Sequence, residues 1–365
     1  MSRLVPSIAA VMAAVIFPTC AAAADWAMDE PDLRGAFYSG DPKDWTELGD
    51  QTDTVAFEFG LRYWYSWGAQ SFSTSGGTTT ANDQSHIGEM HLRIEDHSTN
   101  TYAKALAGYS VAISGDYSGP LVSGTTSDGQ IGYIGADLGW NAFGDNNGSG
   151  VGALVGYQYW NNSPNTGRNS FTTATSAADI TYDPATGQTF VPGDSAPNHV
   201  DIHMLRLGVQ GKANLGGFFD ITAELAAVPY SKVSGVVGVD DPTFSTAEYA
   251  GPAQLPYASV ANGNIASIRS STTAIDGWGY GAMAEAWVGM HPTENITFRL
   301  GGRAWYLQGT VDATYTAAQI GDPSDADLDG TYDTAPVFVN QGFISIANPF
   351  SLFRYGLLAE LTYSF

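Results

Sequence analysis

The chain has 365 residues, with 14 Lys+Arg against 37 Asp+Glu and a formal net charge of −23. That balance excludes nucleic acid as a default partner, because phosphate binding wants a basic face. Apolar residues make up 44%, too many for a disordered acidic chain, and 43 glycines weigh against a helix-rich fold. The single cysteine excludes a disulfide scaffold and a cysteine-based metal site.

Residues 1–24 have the form of a secretory signal peptide. Arg3 is a basic start, Leu4–Phe17 is apolar or small, and Ala21–Ala24 offers small residues for cleavage before Asp25. Phe17, Pro18 and Thr19 make a poor lipobox for Cys20, so no lipidation is expected. Residues 25–52 are acidic and aromatic and read as a periplasmic lead-in. Beyond them there is no apolar window of the ~18 residues a membrane-spanning helix needs.

From Val55 the pattern has period two. Val55, Phe57, Phe59, Leu61, Tyr63 and Tyr65 share one face, and Glu58, Gly60, Arg62 and Trp64 the other. Similar segments are predicted at 53–67, 86–97, 101–114, 130–140, 150–161, 198–213, 216–231, 273–291, 294–309 and 351–365. Two are less regular: Ile131, Tyr133 and Ile134 break the alternation in one, and Met204 and Leu205 blur the phase of the other. The connections alternate long (68–85, 115–129, 162–197, 232–272, 310–350) and short (98–100, 141–149, 214–215, 292–293). A meander with tight turns at one rim and long loops at the other is the topology of an outer-membrane barrel. The sequence therefore predicts an all-β, transmembrane, antiparallel up-and-down β-barrel over 53–365. It would have about ten strands, long extracellular loops and short periplasmic turns, in the outer membrane of a Gram-negative bacterium.

Aromatic residues near the strand ends, Tyr63, Tyr65, Trp67, Trp140, Tyr159, Trp160, Trp278, Tyr280, Trp305, Tyr306 and Tyr363, are predicted to point outward as girdles at the headgroup level. The terminal Phe365 closes an alternating strand, as does the signal read by the outer-membrane assembly machinery. Outer-membrane lipid and lipopolysaccharide are the other expected partners, with a monomer as the expected state.

The opposite faces define the lumen. Its predicted acids are Glu58, Glu89, Glu95, Asp220, Glu224, Glu285 and Glu360. Its predicted bases are Arg62, Arg93, Lys104, Arg206, Lys212, Arg299, Arg303 and Arg354. The two sets nearly balance, so the net negative charge belongs mostly to loops and termini. A charge facing lipid costs about 2–4 kcal/mol at the midplane, whereas inside it finds partners. With Trp64, Met283 and Trp287 these side chains fill much of a narrow barrel, so a packed, charge-paired lumen or a thin water path is expected rather than an open pore. Opposed acids and bases also line channel constrictions, which keeps a narrow porin as the alternative.

One loop motif stands out. Asp325, Asp327 and Asp329 recur at alternate positions before Gly330, with Asp333 further on, the opening of a calcium loop of the EF-hand kind. Pro336 stands where a bidentate Glu belongs, so the alternatives are a weak extracellular calcium loop and a solvated acidic turn. Asp240-Asp241-Pro242 reads as an acidic turn. His199 and His203 flank Asp201, but no third ligand for zinc is specified. GxSxG, HExxH and P-loop motifs are absent, and no enzymatic activity is expected.

The stretches Leu61-Arg62-Tyr63-Trp64-Tyr65-Ser66, Gly156-Tyr157-Gln158-Tyr159-Trp160, Ala226-Ala227-Val228-Pro229-Tyr230, Gly277-Trp278-Gly279-Tyr280 and Gly301-Gly302-Arg303-Ala304-Trp305-Tyr306 resemble Gram-negative outer-membrane β-barrel proteins, poorly characterised barrels of alphaproteobacterial type especially. The ten-strand topology is similar to that of the omptin proteases. That resemblance implies a vase with an acid pair on one side of the outer rim and an Asp-x-His pair on the other. Here Asp116 lacks a second acid two residues on, Asp240-Asp241 lacks a histidine, and His199, Asp201 and His203 fall elsewhere in the pattern. The expected role is therefore structural, adhesive or surface-interacting, with channel formation and omptin-like proteolysis as alternatives.

Overall fold

The computed structural model describes Val55–Phe365, apart from 75–76, 120–122, 145–148, 167, 173–180, 183–188, 191–192, 216–217, 238–257, 262–263 and 321–337. The predicted signal peptide, the lead-in, Asp240-Asp241 and the four aspartates of the calcium motif lie outside the described residues.

Ten long strands form the barrel. They are β1 (Val55–Thr74), β2 (Gly77–Asp96), β3 (Thr101–Ser118), β4 (Gly129–Gly144), β5 (Gly150–Pro164), β6 (His199–Leu215), β7 (Phe219–Val237), β8 (Thr273–Met290), β9 (Ile296–Ile320) and β10 (Phe338–Ser364). Each pairs antiparallel with its sequence neighbours, and β1 pairs β10 from Glu58↔Ser364 to Phe72↔Phe350, which closes the ring. Phe365 completes the closure: Phe57 and Phe365 exchange backbone N–H···O bonds of 3.0 Å, and their rings stack at 5.7 Å. A closed ring leaves no unpaired edge in lipid, the condition for a sheet to cross a membrane.

Short turns and both barrel termini share one end, which is periplasmic in outer-membrane barrels. The turn 97–100 shows how side chains make such a turn. Asp96 accepts from Ser98 N (2.8 Å), Ser98 Oγ (2.6 Å) and Thr99 Oγ1 (2.9 Å), and Asn100 takes φ +54°.

At the other end the strands run well past the segments predicted from sequence. Residues 68–74 and 77–85, predicted as loop, continue β1 and β2 to the pair Thr74↔Gly77. Asn340–Pro349 extends the last hairpin, and β9 and β10 stay paired to Ile320↔Phe338. A bulge between Val311 and Ala313 bends this hairpin. Asn348 Nδ2 donates to Val311 O (3.0 Å) and Ala347 N to Asp312 Oδ1 (2.7 Å) there. Short strands at Ser123–Thr126 and Asn264–Arg269 widen this end by pairing with β3 and β9. The extensions carry polar residues on their outer face, as at Ser71 and Ser73, so they lack the hydrophobic contrast that marks the lower strands.

The exterior follows the predicted faces. Phe59, Leu61, Met90, Leu138, Val155, Leu207, Leu225, Leu300 (70% exposed) and Leu357 (64% exposed) all point out. An apolar band of that extent, without charges between, is the surface a bilayer covers. Above it sit tyrosines whose hydroxyls are satisfied by neighbours: Tyr63 by His86 (2.5 Å), Tyr157 by His203 (2.6 Å) and Tyr280 by Gln308 (2.7 Å). Trp160 and Trp305, predicted to join this girdle, instead turn inward and are buried.

Candidate functional site

The lumen has two halves, and strand direction shows the division. On β1, β3, β7 and β9, which run away from the periplasmic end, inward charged residues precede inward apolar ones. Examples are Glu58 and Arg62 before Trp64 and Phe72, Lys104 before Leu106 and Ile113, Asp220 and Glu224 before Val228 and Val233, and Arg299 and Arg303 before Trp305 and Leu307. On the returning strands the order reverses, as with Ile131 and Tyr133 before Asp137 and Ile202 and Met204 before Arg206. The periplasmic half is thus ionic and the outer half apolar.

The ionic half holds three linked groups. Arg303 lies at its centre. It bonds Glu285 through Nε and grips Glu89 through Nη1 (2.6 Å) and Nη2 (3.3 Å). Tyr133 donates to Glu89, Trp287 Nε1 donates to Glu285 Oε1 (2.7 Å), and Arg62 bonds Glu360. Arg206 Nη1 donates to both oxygens of Asp137 (3.1 and 3.2 Å) and its Nη2 bonds Glu224, which also receives Lys104 Nζ (3.0 Å). Nearer the periplasm, Arg299 joins Glu58 (3.2 and 3.3 Å) to Glu360 (2.9 Å), and Asn141 Nδ2 donates to Glu95 (2.8 Å), with Arg93 Nε 3.3 Å from the same carboxylate. Asp220 lies 2.8 Å from His291 Nε2. A buried charge needs such a partner, since losing one costs about 3–5 kcal/mol.

Arg354 is an ionic outlier inside the apolar half. It is fully buried and clamps Asp83 through Nη1 (2.9 Å) and Nη2 (2.7 Å), which also donate to Ser66 (3.0 Å) and Asn162 (3.1 Å), while its Nε donates no hydrogen bond. Gly68 makes room for this clamp: a Cβ there would overlap both the guanidinium and the carboxylate.

A line of rings separates the halves. Trp64, Tyr133, Trp160 and Trp305 contact edge to face at successive centroid distances of 6.1, 5.8 and 5.5 Å, reaching from β1 to β4 and from β5 to β9. Arg303 lies over Trp64 (5.0 Å) and Arg206 over Trp305 (5.3 Å), so the rings also cap the ionic half. Around and outward of them Ile87, Ile131, Val200, Ile202, Met204, Val233, Leu307 and Leu352 pack into the same cluster, each with at most 1% of its surface reachable by water. A water-filled channel would leave its lining exposed, whereas these side chains are buried.

Of the predicted lumen residues, Glu58, Arg62, Arg93, Glu95, Glu89, Lys104, Arg206, Asp220, Glu224, Glu285, Arg299, Arg303, Arg354 and Glu360 all fall inside and in ion pairs, while Lys212 is exposed at the periplasmic rim. Sequence reasoning missed Asp83, His91, Tyr133 and Asp137. Asp83 fell in a stretch predicted as loop, and Asp137 in the segment whose alternation looked broken. Strict parity from Ile131 through Tyr133 to Asp137 would have found it.

Glu58, His91 and Glu360 bring ligand atoms within 4.8 Å of one another and offer a buried place for a divalent cation. Arg299 and Arg62 bind the same carboxylates, so an ion there competes with two guanidinium groups. At the outer rim, Asp201 is engaged by His199 (2.8 Å), Tyr159 (2.6 Å) and Asn161 (2.9 Å), while His203 lies between Tyr157 and Tyr159.

No protein-family model and no curated protein sequence matches the chain. Among solved structures, the outer membrane protease OmpT from Escherichia coli matches at a TM-score of 0.53 with 10% identity, over 86% of this chain and 98% of that one. The translocator domain of the autotransporter NalP from Neisseria meningitidis reaches 0.32 with 11% identity, over 91% and 95% of the two chains. A FadL homologue from Pseudomonas aeruginosa reaches 0.33 with 10% identity, over 85% and 90%.

Proposed function

We infer that the chain is a bacterial outer-membrane β-barrel. The ring closure, the lipid-facing band and the likeness of fold to a solved outer-membrane barrel agree on this. We propose that it is a sealed, non-catalytic barrel whose role is structural, adhesive or surface-interacting, exercised through the hairpins that rise from its outer end. One observation carries the reading: the apolar seal around Ile202, Met204, Leu307 and Leu352 leaves solutes no wet path. Single-channel recording of the refolded barrel in a planar bilayer tests it. A silent bilayer, with folding checked by a heat-dependent gel shift, is the expected result. Discrete steps of stable ion selectivity would establish the narrow porin instead.

Three narrower readings rest on sequence. The β1–β10 closure through Phe365 suits recognition of the last strand by the outer-membrane assembly machinery. Omptin-like proteolysis has behind it only the likeness of fold to OmpT and the His199–Asp201 pair (2.8 Å), since Asp83 is locked by Arg354 and Asp240-Asp241 lie outside the described residues. Calcium at Asp325, Asp327, Asp329 and Asp333 is tested by calorimetry of the wild type against Asp327→Ala. Loss of stoichiometric binding in the variant is the expected result.

A further inference from the structure

A cavity of ≈ 580 Å³ enters the lumen from the periplasmic end and stops at the ionic network. That is the size of an ordinary small-molecule site. Its wall carries five acids, Glu58, Glu95, Glu224, Glu285 and Glu360, and five bases, Arg62, Arg93, Lys104, Lys212 and Arg299. The formal charges cancel, but the hydrogen-bonding capacity does not.

Every acid is held by two groups of the protein. Glu58 meets His91 and Arg299, Glu95 meets Arg93 and Asn141, Glu224 meets Lys104 and Arg206, Glu285 meets Arg303 and Trp287, and Glu360 meets Arg62 and Arg299. The bases are less fully engaged. Lys212 stands on the wall without a hydrogen-bond or ion-pair partner among the described residues. Arg93 is held only at long range, Nε to Glu95 at 3.3 Å and Nη1 to Gln210 at 3.4 Å, with its guanidinium laid on Tyr102 at 3.9 Å. Buried Arg62 Nη1 and Arg299 Nε, also on this wall, donate no hydrogen bond. Gln210 and Lys212 are two residues apart on one face of β6, and Arg93 reaches Gln210, so the two loosely engaged bases flank one spot.

We propose that this cavity binds a small carboxylate or phosphate anion from the periplasm, held by Arg93 and Lys212. Surplus donors and saturated acceptors select an anion over a cation, and the apolar seal beyond the network makes the site a dead end rather than a path. The reading goes beyond the surface role, since the site faces the opposite compartment.

Calorimetry on the full chain, extracted from membranes in non-ionic detergent, tests the proposal with citrate and inorganic phosphate as probes and putrescine as the cationic control. Saturable binding of one or both anions is expected, and the better probe identifies the anion class. Lys212→Met and Arg93→Gln should each weaken binding about tenfold, with Lys212→Arg retaining it. A heat-dependent gel shift verifies folding, and Lys212, exposed at the rim, can be replaced without opening the network. Binding of putrescine in preference to the anions, no anion binding at millimolar concentration, or binding unchanged in both folded variants would overturn it.

Discussion

The periplasmic and outer halves of the lumen are lined by the same ten strands, yet one is held by ion pairs and the other by hydrophobic packing. The ionic half is specific: Arg303, Glu89 and Glu285 each depend on the others, and removing one leaves a buried charge unmatched. The apolar half is additive: each buried Leu, Ile or Met contributes about 1.5–3 kcal/mol with no required counterpart. The difference teaches that a narrow barrel can close itself by two independent means. Substitutions in the two halves should therefore fail in different ways.

The largest expected effect lies at their boundary. Replacing Trp160 and Trp305 together by Ala removes two fully inward rings that touch at 5.5 Å, each worth about 3–5 kcal/mol. The melting midpoint of the gel-shifted band should fall sharply. The line of rings, broken here, should also let ion conductance appear in a planar bilayer. A variant that folds and stays silent would show that the aliphatic cluster alone is the seal.

Arg303→Leu comes next. It leaves Glu89 and Glu285 without their main partner at a cost of about 3–5 kcal/mol, read as lowered thermal or denaturant stability. Adding Glu89→Gln and Glu285→Gln should recover much of that loss. Leu307→Ala, in the apolar half, should cost about 2–5 kcal/mol with no such rescue available from any single partner. Comparable rescue in both halves would remove the distinction.

The membrane-level strands were legible in sequence because lipid outside and charge inside give period two its contrast, as from Phe57 to Tyr65. The contrast vanishes where both faces are alike. In the outer half both faces are apolar, so Ile131, Tyr133 and Met204 looked like irregularities, and Trp160 and Trp305 were assigned to the girdle although the parity set by Arg299 and Arg303 already turned Trp305 inward. Above the membrane the outer face is polar and strands such as 68–74 passed for loop. The individual ion pairs were beyond reach, because they depend on which strands face each other across the closed ring. Arg303 and Glu89, 214 residues apart in sequence, meet only there.

The smallest expected effect fixes the baseline for the rest. Lys232 and Asp276 form an ion pair at 3.2 Å on the barrel exterior, with side chains 51% and 70% exposed. The same charges that need partners inside are solvated here with or without each other. Water and salt screen the attraction, and both side chains lose entropy in holding it. Lys232→Ala should therefore change stability by no more than about 0.5 kcal/mol, within the scatter of a melting experiment, and less still at high salt. If it instead matched Arg303→Leu, charge pairing rather than burial would govern stability across the whole barrel, and the contrast between the halves would lose its physical cause.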